Sequence, residues 1–274
     1  MTHSYIANAL SIAGSDPSGG AGVQADLKSF SANHVFGMAV ITALTAQNTR
    51  GVTDIHLPPV DFIKVQISAI FDDIHVDSVK IGMVANAEIA RAVATALADR
   101  HNGNIVLDPV MVAKGGAQLL APDAVDAVRR DLLPLASVVT PNLPEAGVLL
   151  GLPAARTRDE MASQARELLS CGPDAVLIKG GHFEAGGSPD LLITKEREHW
   201  FEADRIDSMN THGTGCSLSS ALAANLARGM NMVAAAMAAK SFITEAIRHA
   251  DELAVGSGHG PTHHFHAMWK DSRG

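Results

Sequence analysis

The chain has 274 residues, which suits one large α/β domain or two small ones. It is 47% hydrophobic but only 4% aromatic, a composition that builds aliphatic layers of the kind found in helix-covered parallel sheets. The formal net charge of -8 argues against general nucleic-acid binding and against anionic membranes, so any phosphate site must be local, built from backbone amides and a few lysines.

Tyr5 to Ala13 reads as a strand that ends in the small-residue loop Gly14 to Gly22. A helix follows with Val23, Leu27 and Phe30 on one face, giving the first half of a βαβ unit. The loop matches neither GxxxxGK[ST] nor GxGxxG. It is either a ligand-facing loop or a tight turn that needs positive φ. Val35 to Leu44 is a second strand, and the polar cluster Thr45 to Gly51 sits at its C-terminal end, where open parallel sheets bind ligands. Gln47 carries a donor and an acceptor and suits the edge of a heteroaromatic ring.

Helices are predicted over Asp61 to Phe71 and Ala87 to Ala98, with a strand at Ser78 to Ile81 between them. In the strand Ile105 to Val110, Asp108 interrupts an apolar run, and a buried carboxylate there needs a cation or donors. Val112 to Gln118 is glycine-rich and reads as a mobile flap or an exposed loop. A helix over Pro122 to Leu133 and a strand over Ser137 to Thr140 lead to Asn142 and Glu145. Those two are spaced as a helix cap and its capping-box partner, and also as a pair facing a metal–phosphate site. A helix over Asp159 to Leu169 and a strand over Ala175 to Ile178 end at Lys179, placed beside two glycines for a phosphate. Leu191 to Thr194 and His199 to Ala203 form an antiparallel edge hairpin.

Asn210 to Ala224 is a loop of small residues running into a helix. Unpaired N–H groups and the positive end of the helix dipole favour anions there. Cys216 lies in that turn, where a thiol is expected to have a lowered pKa and to serve as base or nucleophile; the alternative is a small buried hydrophobe. A helix over Met232 to Ala250 precedes a tail with His263, His264 and His266, read as a polar arm packing on the domain rather than a zinc site.

Cys171 and Cys216 belong to no CxxC pair and suit a reducing cytoplasm. Met1 to Asn8 has no signal-peptide pattern. Ser217 to Ala239, interrupted by Arg228, Gly229 and Asn231, reads as two packed helices rather than a bilayer span. No repeat or long linker divides the chain, so residues 1–274 are expected to form one domain. Its architecture is a mostly parallel, doubly wound sheet with helices on both faces. The crossover rule then gathers Gly14–Gly22, Gln47, Asp108, Asn142, Glu145, Lys179 and Gly213–Cys216 on one rim.

The segments IAGSDPSGGAGVQADLK, TALTAQNTRGV, VKIGM, VLDPVM, TPNLPEA, VLIKGGH and NTHGTGC, in that order, closely resemble the hydroxymethylpyrimidine/phosphomethylpyrimidine kinases of the ribokinase-like superfamily. The resemblance runs from about Ala9 to His266. It implies a three-layer α/β/α fold and two ATP-dependent, magnesium-dependent reactions of thiamine biosynthesis: phosphorylation of 4-amino-5-hydroxymethyl-2-methylpyrimidine, then of its monophosphate. By motif match, Cys216 falls at the base position and Gly213, Thr214, Gly215 and Cys216 supply an anion hole. Asp26, Gln47 and Val110 fall on the pyrimidine side, and Asn142, Lys179, Thr214 and Lys114 on the nucleotide and phosphate side. Asp108 and Glu145 fall on the magnesium–phosphate side. The family also suggests a homodimer acting on small molecules. Pyridoxal kinase activity on the same fold and a non-catalytic pyrimidine-binding relative are the alternatives.

Overall fold

The computed structural model describes residues 5–101, 103–112, 116, 119–121, 123–181, 183 and 187–269. Its frame is a nine-stranded sheet in the order β3-β2-β1-β4-β5-β6-β7-β8-β9. The parallel strands are β1 (Asn8–Gly14), β2 (Phe36–Asn48), β4 (Ser78–Ile81), β5 (Asn104–Leu107), β6 (Val138–Val139) and β7 (Ala175–Ile178). In β1 every position after Asn8 is buried, because both faces of the strand are covered; that is why it reads as a continuous apolar run. The chain winds from β1 outward to β2, returns, and then continues from β4 to β7 on the other side. The crevice at the C-terminal ends of β1 and β4 is therefore the topological switch point, the usual ligand position in such sheets.

Two aliphatic cores flank the sheet. One is closed by α2 (Val60–Phe71), α3 (Ala87–Ala98), α4 (Ala124–Ala127), α5 (Leu143–Leu150) and α6 (Arg158–Ser170). The other is closed by α1 (Gly22–Ala32), α7 (Thr214–Ala227) and α8 (Met232–Arg248). Helix α3 shows the local logic. Asn86 caps it by accepting from Ile89 N–H at 2.9 Å, and Ile89, Val93 and Leu97 form its buried face. Helix α7 is different. All of Ser217 to Leu226 is buried, since this helix lies between the sheet and α8, so its sequence shows little amphipathic contrast. Among the described residues, no helix is long and apolar enough to cross a membrane.

The expected parallel core and the edge hairpin of β8 (Asp190–Thr194) and β9 (Glu198–Phe201) are present. The other edge differs from expectation. The strand expected to end at Leu44 runs on through the polar cluster to Asn48, and β3 (Gly51–His56) folds back antiparallel. Asn48 Oδ1 accepts from Arg50 N–H at 2.8 Å, and Gly51 adopts φ +151, so the turn closes over two residues. The expected helix over Pro122 to Leu133 is interrupted: α4 passes into a wider turn at Val128–Leu132 and a tighter one at Leu133–Leu135, where Pro134 stops regular helix. Pro122 itself lies outside the described residues.

Candidate active site

Two loops and an ion cluster gather along the C-terminal rim of the sheet, from the switch point toward β7. The first is the glycine loop after β1, organised by Asp16. Its Oδ1 accepts from Ser18 N–H (2.9 Å) and Ser18 O–H (2.6 Å). Its Oδ2 accepts from Ala21 N–H (2.8 Å) and Gly20 N–H (3.2 Å) and lies 2.8 Å from His212 Nε2. Burial pushes this carboxyl up, but His212 and Ser18 outweigh it and hold its pKa below the usual range.

The second loop is the turn into α7. Gly213 is its N-cap with φ 76, and a side chain there would collide with the Gly20 carbonyl, so glycine is needed both for conformation and for close approach. Thr214, Gly215 and Cys216 form the first turn, a cradle where the helix start favours an anion, although the Thr214 N–H donates to Thr211 O at 3.3 Å. Thr214 O–H donates to Thr211 O at 2.8 Å. A Cβ on Gly215 would lie 3.3 Å from Lys179 Nζ and 3.7 Å from Asp108 Oδ2, which brings the cradle against the third group.

That group is an ion cluster at the ends of β5, β6 and β7. Lys179 Nζ lies 2.9 Å from Asp108 Oδ1 and 3.8 Å from Glu145 Oε2. Thr140 and Ser219 hydroxyls also donate to Asp108, each at 3.3 Å. Asp108 is buried, yet Lys179 and Lys80 overcome that burial and keep its pKa lowered. Burial pushes the Glu145 carboxyl up to about 7; Lys179 draws it down, but the Asp108 charge adds to the rise. Asn142 and Glu145 form a capping box, with Asn142 N–H donating to Glu145 Oε2 and Glu145 N–H to Asn142 Oδ1, both at 2.8 Å. The cap and the charge cluster therefore coexist in one residue. Two carboxylates share one ammonium here, a hard-oxygen set with surplus negative charge, and this fits a magnesium ion that takes its remaining ligands from water and phosphate.

Of the residues expected on the pyrimidine side, Gln47 is half-buried with its amide 3.2 Å from both His212 Nε2 and Thr45 Oγ1. Val110 follows β5, with its N–H donating to Asp108 O at 2.8 Å. Asp26 lies deeper than the cradle and is fully buried. Its carboxylate accepts from Lys80 Nζ at 2.9 Å to both oxygens, from Ser11 at 2.6 Å and from Ser220 at 2.7 Å. Lys114, with most of the 112–118 segment, lies outside the described residues.

Cys216 corrects one expectation. Its thiol is pushed up to about 11, not lowered. Burial is the main cause, and the Asp26 and Asp108 charges add to it; Lys80 and a backbone contact with Gly22 only partly offset it. The helix start is outweighed by burial, with the charges of Asp26 and Asp108 adding to it. The histidine tail packs as an arm: His263 N–H donates to Ala246 O at 2.8 Å, and His264 Nε2 lies 2.9 Å from Ser217 Oγ.

The phosphomethylpyrimidine kinase family profile matches residues 16–263. The chain belongs to the phosphomethylpyrimidine kinase family. It is 53% identical over 262 residues to a hydroxymethylpyrimidine/phosphomethylpyrimidine kinase of Escherichia coli (strain K12), covering 96% of this chain and 98% of that protein. The same enzyme of Salmonella typhimurium is 52% identical with the same coverage. Among solved structures, a Bacillus subtilis pyridoxal kinase in complex with ADP matches with TM-score 0.89 at 38% identity, over 97% of this chain and 100% of that one. A phosphomethylpyrimidine kinase from Clostridium difficile matches with TM-score 0.79 at 42% identity, over 89% and 100%. Family and fold thus agree with the motif resemblance.

Sequence reasoning missed Lys80, Asp16 and His212 as parts of this site. Lys80 carried a signal, being the one charge in the fully buried strand Ser78–Ile81. His212 stood inside NTHGTGC, but its partner Asp16 is 196 residues away and no local pattern links them.

Proposed function

We propose that the chain phosphorylates the hydroxymethyl group of 4-amino-5-hydroxymethyl-2-methylpyrimidine with ATP, and then the resulting monophosphate to the pyrophosphate, for thiamine biosynthesis. The observation that carries this reading is the meeting of the Gly213–Cys216 cradle, the Lys179–Asp108–Glu145 cluster and the Gln47 amide on one rim of the sheet, in a member of this family. Phosphoryl transfer mainly requires positioning and charge neutralisation, and these groups supply both.

In this reading, Gln47 and the backbone at Val110 hold the pyrimidine, with Asp26 shaping the pocket from below. Amides of Gly213, Thr214, Gly215 and Cys216 receive the transferred phosphoryl group. Lys179 offers its ammonium to the nucleotide phosphates, and Asn142, Thr214 and Lys114 complete that side. Asp108 and Glu145 would hold magnesium, whose chemistry is to neutralise phosphate charge. Cys216 accepts the hydroxyl proton as a thiolate that is rare at neutral pH but strongly basic. Lys80, beneath it, is the cation that stabilises that anion.

We take residues 1–274 as one kinase domain working as a cytoplasmic homodimer. The exposed apolar side chains of Phe36, Phe62 and Val65 on β2 and α2 support self-association, and free Cys171 and Cys216 suit a reducing compartment. Pyridoxal is a second candidate substrate, favoured by the close superposition on the B. subtilis pyridoxal kinase. An ADP-release assay with the pyrimidine, its monophosphate and pyridoxal tests the reading. Preferred turnover of the pyrimidine and its monophosphate is expected; turnover of pyridoxal alone would overturn it.

A further inference from the structure

The Asp16–His212–Gln47–Thr45 chain of contacts carries more than packing. Both Asp16 Oδ2 (2.8 Å) and the Gln47 amide (3.2 Å) reach the same atom, His212 Nε2. An ionised carboxylate only accepts, so His212 Nε2 must carry a hydrogen toward Asp16 in either protonation state of the ring. That nitrogen then has no lone pair for an amide N–H. At the other end, Thr45 O–H donates to Ser15 O at 2.8 Å, so Thr45 Oγ1 can only accept from Gln47, 3.2 Å away. A half-turn of the amide exchanges its oxygen and nitrogen in place, and neighbouring chemistry decides between the two settings. The structure sets the amide nitrogen toward His212 and the oxygen toward Thr45, but an N–H facing the Nε2–H is repelled and an oxygen attracted, so both neighbours favour the reverse: oxygen toward His212, nitrogen toward Thr45. His212 is itself fixed. It is buried, and a Cβ on Gly20 would sit 2.5 Å from its ring, so the glycine loop lies flat against it.

We propose that His212, held by Asp16, is a positioning residue that sets the polarity of the Gln47 amide and so makes the enzyme selective for a ring bearing an amino group next to an unprotonated ring nitrogen. An amide has two acceptor sites and two N–H donors. The His212 Nε2–H, which donates mainly to Asp16 at 2.8 Å, faces one acceptor site of the amide at 3.2 Å, and Thr45 takes one donor. One acceptor and one donor remain side by side on the free edge, complementary to the 4-amino group and the adjacent ring nitrogen. The opposite setting would present them in the wrong order. This proposal rests on the pyrimidine reading of the site.

The test compares kcat/KM for the aminopyrimidine substrate and for 5-hydroxymethyl-2-methylpyrimidine, which lacks the amino group, in wild type, His212→Leu and His212→Gln. Wild type should prefer the amino substrate. His212→Leu should raise its KM roughly 10- to 100-fold and erode the preference by a similar factor, with the KM for ATP unchanged. His212→Gln returns an N–H donor and should regain most of the preference. An unmoved preference in His212→Leu overturns the proposal, as does an equal rise in the KM of ATP and pyrimidine, the mark of a merely loosened site. If His212→Leu does not fold, nitrogen-15 spectra of histidine-labelled wild type decide: a protonated Nε2 on His212 supports the proposal, and a bare one overturns it. Absence of wild-type turnover with either pyrimidine overturns the substrate reading and this proposal with it; turnover with an unmoved preference overturns this proposal alone.

Discussion

Replacing Cys216 with aspartate should flatten the pH dependence of turnover. The wild-type thiol sits at about 11, because burial and the charges of Asp26 and Asp108 oppose its ionisation more than Lys80 favours it. At pH 7 the thiolate is then about one part in 10⁴, each pKa unit being worth about 1.4 kcal/mol. If the thiolate takes the hydroxyl proton, kcat with saturating pyrimidine, ATP and magnesium should rise about tenfold per pH unit between about pH 7 and 9. A carboxylate is already ionised over that range, so Cys216→Asp should show a flat profile. Cys216→Ala has no acceptor and should lose about 10²–10⁴-fold in kcat while keeping its KM for ATP. Cys216→Ser keeps the size but not the acidity and should resemble alanine. The assay is ADP release across the pH series, with the coupling enzymes in excess. A flat wild-type profile combined with a crippled alanine variant would refute the thiolate and make the protonated thiol the working form. Wild-type kcat in Cys216→Ala would remove the residue from the chemistry.

Other expectations follow from the same site. Gln47→Ala leaves the aminopyrimidine edge unpaired and should weaken its binding by ~1–3 kcal/mol with little change for ATP; an unchanged pyrimidine KM would take Gln47 out of the pocket. Glu145→Gln keeps the cap but not the charge, so turnover should fall and the magnesium requirement rise, and a normal magnesium titration would leave Glu145 as a cap only. Its folded-state carboxyl is raised to about 7, so the folded chain holds a proton that the unfolded chain releases within the ordinary carboxylate range. Stability from that proton is present at low pH and is lost as pH rises through about 7. Without ligands, Glu145→Gln should therefore gain on wild type in urea unfolding as pH rises through that window; a constant difference would contradict the raised value. Lys80→Met strips the ammonium from a pair whose side chains are both 0% exposed. It should cost ~3–5 kcal/mol in the same unfolding measurement, with part recovered when Asp26→Asn is added; a loss under about 1 kcal/mol would mean the pair is not buried as described.

Much of this molecule is legible in the chain itself. Strands such as Ser78–Ile81 and Ala175–Ile178 are short apolar runs bounded by polar or glycine-rich turns, and α3 carries its cap and its 3.6-residue face in sequence. These are local properties, set by backbone propensity and side-chain periodicity, and they suffice for the alternation that implies a parallel sheet. The C-terminal ends of parallel strands share one rim, so Asp108, Glu145, Lys179 and the Gly213 turn could be brought together before any coordinates. Tertiary structure decided what depends on distance between remote residues. Whether the second strand ended at Leu44 or ran on to Asn48 depended on pairing with Gly51–His56. The thiol of Cys216 carries a helix-start signature, but its ionisation is governed by burial first and then by Lys80, Asp26 and Asp108, all of them supplied by remote parts of the chain. His212 and Asp16, 196 residues apart, meet only because Gly20 and Gly213 let two backbones touch. Electrostatic interaction and hydrogen bonding act through space, and sequence order records that space only where the contacts are local.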